Sequence, residues 1–341
     1  MRQDVFVQRH EREWQDFENW LDHRGESLRS RRRLRNWNGL GDDEIPARYR
    51  RLCQQLALAR RRGYSPQVVE RLQGLMQRGY NVIYRAPPPA WRRTLYFLMA
   101  GFPRLVRAQR GCLWLSAVLF AVPMVALYFA VQQWPELAYS VFKPGQLAAI
   151  EAMYDPADPR HKLGRDSQGD MQMFGYYILN NVSIGFRTFA SGLLLGVGSA
   201  FVLVFNGVVF GVIAGHLQAI GHGDPFWRFV VGHGAPELTA IVIAGAAGLR
   251  LGLALVAPGR LRRVDALVVA GRVGARLCLG ILAMLVFAAF VEAFWSSIGS
   301  IPATVKFAVG GGLWALVLGW LALGGRGDGA AAPGEAADAP G

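Results

Sequence analysis

Twenty consecutive residues without a charge, Cys112–Val131, set the first limit on what this chain can become. A helix of that length crosses a hydrocarbon core of about 30 Å, so the run reads as a membrane span. Pro236–Val256, Leu277–Trp295 and Thr304–Leu323 repeat the pattern. Tyr176–Ile220 is apolar too, but too long for one span, and reads as two spans or as a re-entrant piece plus a span. The fold class expected is therefore all-α: an integral membrane helical bundle of about six spans, preceded by a cytoplasmic helical domain.

Charge divides the chain and orients it. Residues 1–110 hold 23 Lys and Arg against 11 Asp and Glu, whereas the other 231 residues hold 14 against 13. Beside apolar spans, such an excess marks a domain on the cytoplasmic face. The acidic connection 134–175 then lies outside, and the Arg260–Arg276 connection, with Arg262, Arg263, Arg272 and Asp265, returns inside. Three crossings between those two connections give six spans with both termini cytoplasmic, the protein residing in the inner membrane as a multi-pass chain. The join between the second and third spans carries no charge to mark its turn. Met1–His10 lacks the apolar core of a signal peptide, so the first span directs insertion.

Three divisions follow: a basic cytoplasmic domain over 1–110, a transmembrane domain over 111–325 with its outer connection 134–175, and a Gly, Ala, Pro and acid-rich tail over 326–341 expected to be disordered. Within the basic domain, Trp14, Phe17 and Leu21 keep helical spacing. So do Tyr49, Leu52, Leu56 and Ala59 after Pro46, and Val69, Leu72, Leu75 and Met76 after Pro66. Pro87–Pro89 interrupts the chain, and Trp91–Arg110 reads as a basic amphipathic helix on the membrane surface. The Arg29–Arg35 cluster serves partly as a solvated face and partly to meet anionic lipid headgroups. No zinc pattern, recognition helix or aromatic-glycine motif points to nucleic acid. Cys53, Cys112 and Cys278 are too dispersed for a disulfide framework or a zinc site.

The polar residues inside the apolar runs are the candidates for function. His233 and Glu237 stand four residues apart around Pro236. A carboxylate within a membrane helix is costly unless paired, protonated or near water. The plain reading is a His–Glu hydrogen bond that pins a helix start at Pro236; the sharper one is an ion or proton site. Asn180, Asn181, Arg187 and Asn206 form a second polar set suited to interhelical hydrogen bonds, with Glu237 or Glu292 open to Arg187. Gly192–Gly196 and Gly211–Gly215 stand at GxxxG spacing, and with Gly207, Gly248 and Gly252 they read as helix-packing glycines. No nucleophile–base pair, metal-ligand pattern, phosphate loop or dinucleotide fingerprint is present, so catalysis, cofactors and a resident metal are not expected.

Tyr177-Ile-Leu-Asn180-Asn181, Gly192 through Gly196, Asn206-Gly207 with Gly211, and His233-Gly234-x-Pro236-Glu237-Leu238 followed by Ala244-Gly245 and Gly248 to Gly252 resemble the stage II sporulation protein M family, in its non-sporulating branch. Weaker likeness lies at Trp14, Tyr49-Arg50, Leu72–Tyr84 and Phe102-Pro103, so the resemblance spans roughly residues 5–325. Pro236 departs from the pattern, which places a proline just before the histidine. The resemblance implies a non-enzymatic membrane scaffold, similar to the anchor of a peptidoglycan-remodelling complex. It also implies envelope partners such as MoxR-type ATPases and RDD-type proteins, with homo-oligomerisation open. The alternative expectation is a transporter or channel lined by the polar residues above.

Overall fold

A computed structural model describes residues 2–25, 41, 43–84, 89–157, 163 and 169–326. The Arg29–Arg35 cluster and the tail from 327 onward, for which disorder was expected, lie outside the described residues. Among the described residues every regular element is helical, and the chain divides into Met1–Arg93 and Thr94–Gly341.

The first unit is built from α1 (Gln3–Gly25), α2 (Ile45–Arg61) and α3 (Pro66–Ile83). The helical spacing read from sequence is realised as a core of Phe6, Trp14, Phe17, Leu52, Leu56 and Leu72. One polar side chain, Gln55, is buried against that core, and the charged pairs lie around it. Trp14 donates its indole N–H to Gln55 Oε1 at 2.7 Å, and Gln55 donates onward to Glu13 at 3.1 Å. Arg71 meets Glu11 at 2.8 Å and Glu18 at 3.6 Å, and Arg78 pairs with Asp22. Hydrogen bonding to Glu11 holds the Arg71 guanidinium above its ordinary range. These pairs are half-exposed, so each contributes at most about 1 kcal/mol, and the aromatic core holds the unit together.

The second unit begins within α4 (Ala90–Tyr96). A π-helical turn over Phe97–Gly101 links α4 to α5 (Phe102–Ala108), and α6 (Arg110–Gln133) follows. The single helix expected over 91–110 is thus interrupted by a π turn and ends at Ala108, and two of its arginines have protein partners. Arg104 donates to the Gly325 carbonyl at 2.9 Å, and Arg107 to those of Leu321 and Gly324 at 2.5 and 2.6 Å. These carbonyls close the C-terminal turn of the last helix, α13 (Ala303–Leu323), where a cation is favourable.

Between α6 and α13 the chain runs through α7 (Ala138–Val141), α8 (Pro144–Met153), α9 (Asp170–Ala190), α10 (Val197–Ala219), α11 (Gly223–Val256) and α12 (Arg263–Val291). α12 ends in a π-helical turn over Glu292–Ser296. Five of the helices are long and apolar enough to cross a membrane: α6, α10, α11, α12 with its π turn, and α13. α9 has the length but is more polar, and it turns Leu179 and Phe186 outward while burying Tyr177, Asn181 and Gly185. Arg104 and Arg107 bring the start of α6 to the end of α13, the arrangement that an even number of crossings would give. The segments 134–157 and 220–222 share one end of the bundle. Arg260, Arg262 and Arg263 mark the opposite, arginine end.

Two glycine contacts set the packing. Gly207, Gly211 and Gly215 lie along α10 so that α6 rests directly on them. A β-carbon at any of the three would collide with the carbonyls of Phe120, Met124 or Tyr128. Gly192 and Gly196, read from sequence as a helical pair, instead belong to the turn that joins α9 and α10. Gly196 is left-handed at φ 83°, as is Leu195 at 55°. That turn abuts Gly248 and Gly252 of α11, backbone against backbone. Two further expectations are corrected. Pro236 lies in the interior of α11 rather than at its start, and Arg272 and Arg276 lie within α12 rather than in a connection.

Candidate functional site

α11 is 34 residues, about 51 Å, and therefore longer than the bilayer core it crosses. His233 and Glu237 sit on one face of it, one turn apart, about 15 and 21 Å from its Gly223 end. Both project toward the π-helical end of α12. That turn carries one extra residue per turn, a form concentrated at functional sites. It presents Glu292 and Ser296 on the same side. Gly232 makes the approach feasible, since a β-carbon there would strike the Trp295 ring and the Ser296 hydroxyl.

The resulting cluster is compact. One ligand-capable atom from each of His233, Glu237 and Glu292 lies within 4.8 Å of the other two. His233 Nδ1 and Ser296 Oγ are 3.0 Å apart, and the other ring nitrogen, Nε2, faces Glu237 Oε2 at 3.7 Å. That second distance is too long for a hydrogen bond. Asn181 of α9 donates to Glu292 Oε2 at 3.4 Å and accepts from Asn180 at 3.2 Å. Lys306 of α13, fully buried, donates to the Ser296 carbonyl at 2.6 Å and lies 5.7 Å from the centre of the Trp295 ring. Among the described residues no lysine or arginine forms an ion pair with Glu237 or Glu292.

These groups border a cavity of about 340 Å³ lined by Asn180, Asn181, Asn206, His233, Glu237 and Glu292 together with aromatic and aliphatic side chains. On α11 the lining stops at Ile241, above the glycine contact of Gly248 and Gly252. Tyr154, at the end of α8, roofs it and packs edge-on against Phe226 and Phe229. Burial pushes the Tyr154 phenol above its ordinary range, so it stays neutral. The roof is fixed by Glu151 on His216 at 2.7 Å and by the Leu163 amide on the Ser297 carbonyl at 3.0 Å.

The polar candidates thus separate. Asn180, Asn181, Asn206, His233 and Glu237 share one cavity. Arg187 turns outward near the end of α9, bonds its own helix at Ser183, and pairs with neither Glu237 nor Glu292. The hydrogen bond expected between His233 and Glu237 does not form. Glu292, named from sequence only as a partner for Arg187, is a full member of the cluster. Ser296, Lys306 and Tyr154 were not foreseen. A lone lysine in the first turn of a span reads as snorkelling to the interface, and only its neighbours reveal that it is buried.

A family model described as Stage II sporulation protein M matches residues 116–297, just over half of the chain, and takes in the whole His233–Glu237–Glu292 cluster. A second, described as a domain of unknown function (DUF8413), matches residues 4–85, which hold α1 to α3. No curated protein and no solved structure matches the chain.

Proposed function

The chain belongs to the stage II sporulation protein M family, and from that premise we propose that it binds a cation inside its membrane bundle and passes it across the inner membrane. One observation carries the reading: two carboxylates and an imidazole converge within 4.8 Å on a cavity in the spans, and among the described residues no lysine or arginine is paired to either acid. Ionisable groups at membrane depth that face a cavity mark ion or proton paths, since leaving them uncompensated is expensive. The cavity lies toward the end of the bundle roofed by α8, and the glycine contact between the Gly192–Gly196 turn and α11 closes the other end. Passage requires that contact to loosen.

Orientation follows from the arginines. We read the end that carries Arg260, Arg262 and Arg263 as the cytoplasmic one, and with α9 counted as a sixth crossing this reading puts both termini on that side. The excess of arginine before the first span also suits anionic headgroups. Labelling in intact spheroplasts tests this. A cysteine replacing Asp155 reacts with an impermeant maleimide, and one replacing Arg260 reacts only after permeabilisation; the reverse pattern overturns the orientation.

A scaffold without transport is the second reading, favoured by the separately cored Met1–Arg93 unit, which suits recruitment of envelope proteins such as MoxR-type ATPases or RDD-type proteins. Neither reading involves catalysis by this chain. Proteoliposomes separate them. Under the first, wild type dissipates an imposed proton or Mn²⁺ gradient and Glu237→Gln does not, although it keeps the same melting temperature. Wild type that moves no cation, paired with a Glu237→Gln chain that loses its partners in native membranes, supports the scaffold instead.

A further inference from the structure

We infer that His233, Glu237 and Glu292 form a site for one divalent first-row transition-metal ion, of the Zn²⁺ or Mn²⁺ kind. The inference rests on the cation reading above and names its ligand. Two ligand atoms on one tetrahedral metal, each about 2.1 Å from it, stand about 3.4 Å apart. The 3.7 Å between His233 Nε2 and Glu237 Oε2 is too long for a hydrogen bond and close to that separation. All three ligand atoms fall within 4.8 Å of one another, so one ion reaches them with small side-chain adjustments.

The surroundings match a metal site as well. Ser296 takes the Nδ1 side of His233, which leaves Nε2 free to ligate, and Asn181 holds Glu292. A metal-bound imidazole and carboxylate ordinarily have such outer partners. Among the described residues neither carboxylate is paired to a lysine or arginine, the buried Lys306 being turned to the Ser296 carbonyl, so both are available to a dication in a water-poor interior. An imidazole among the ligands favours a transition metal over Mg²⁺ or Ca²⁺, which take oxygen. Three protein ligands beside a cavity leave a coordination position open, as in sites that exchange their metal or its water rather than lock it in.

The test uses the full chain, purified in mild detergent and stripped with a chelator. Addition of Co²⁺ should give visible d–d absorption, and Zn²⁺ or Mn²⁺ should equilibrate to one ion per chain by elemental analysis. Glu292→Gln and His233→Gln, near-isosteric changes, should remove that stoichiometric ion while the melting temperature of the metal-free protein holds. Ser296→Ala should weaken the affinity by about 10- to 100-fold. Glu136→Gln, on the exposed connection after α6, should bind as wild type does. Absence of a stoichiometric ion in wild type, or equal binding by Glu292→Gln and His233→Gln, overturns the metal site. Proton flux that persists in metal-free buffer, without metal binding, rejects the metal and keeps the cation path. One bound ion with no flux keeps the metal and rejects passage.

Discussion

Two sides of α11 and α10 are built on opposite terms. Along the α6–α10 seam, glycines at 207, 211 and 215 bring one backbone onto another and leave no room for a side chain. A few ångströms away, between α9, α11 and the end of α12, the bundle holds a cavity and gathers ionisable groups around it. Lipid tails give helices no hydrophobic reason to associate, so close packing of the seam supplies cohesion. A bundle held elsewhere can keep a polar cavity that contributes little to its own stability. The seam should therefore report on folding and the cavity on function.

The strongest attempt to break that contrast is Gly211→Leu. Its side chain has to enter the backbone of α6 at Met124, and overpacking of that kind should cost about 3 kcal/mol, seen as a sharp fall in melting temperature or failure to accumulate. Gly232→Ala comes next. The new methyl meets the Trp295 ring and Ser296 hydroxyl, both side-chain groups able to shift, so about 1–2 kcal/mol is expected, together with impaired cation binding. That variant sharpens the contrast, because Gly232 alone among these glycines touches the cluster. Smallest in stability is Glu237→Gln, within about 0.5 kcal/mol in metal-free buffer, since it hydrogen bonds with no described side chain. A fall as large as that of Gly211→Leu would mean that the cluster is structural.

The sequence made the seam easier to anticipate than the cavity. Glycine at four-residue spacing in an apolar run already implies close helices, and Gly211 and Gly215 behave so. The same spacing at Gly192 and Gly196 is a turn, because spacing alone does not distinguish a helix face from a left-handed break. His233 and Glu237 were visible as a pair one turn apart. Pro236 suggested a helix start, yet α11 runs through it at the loss of one amide hydrogen bond. Glu292 continues the buried face of α12 from Leu285, Ala288 and Ala289, but nothing in sequence says that this face meets His233 and Glu237. Charge leads to an expectation of six crossings; five helices have the length and apolarity for one, and the meeting of Arg104 and Arg107 with the end of α13 makes α9 the candidate for a sixth.

Metal-dependent thermal stabilisation addresses the contrast most directly. A ligand that binds only the folded chain adds about 2.7 kcal/mol at a hundredfold excess over its dissociation constant. Melting temperatures would be followed against Zn²⁺ and Mn²⁺ for wild type, for Gly211→Ala, and for the Glu237→Gln/Glu292→Gln pair. A cation site in the cavity predicts equal rises for wild type and for the weakened seam variant, and a flat response for the carboxamide pair. A rise that survives loss of both carboxylates, or a flat response in wild type, would contradict it.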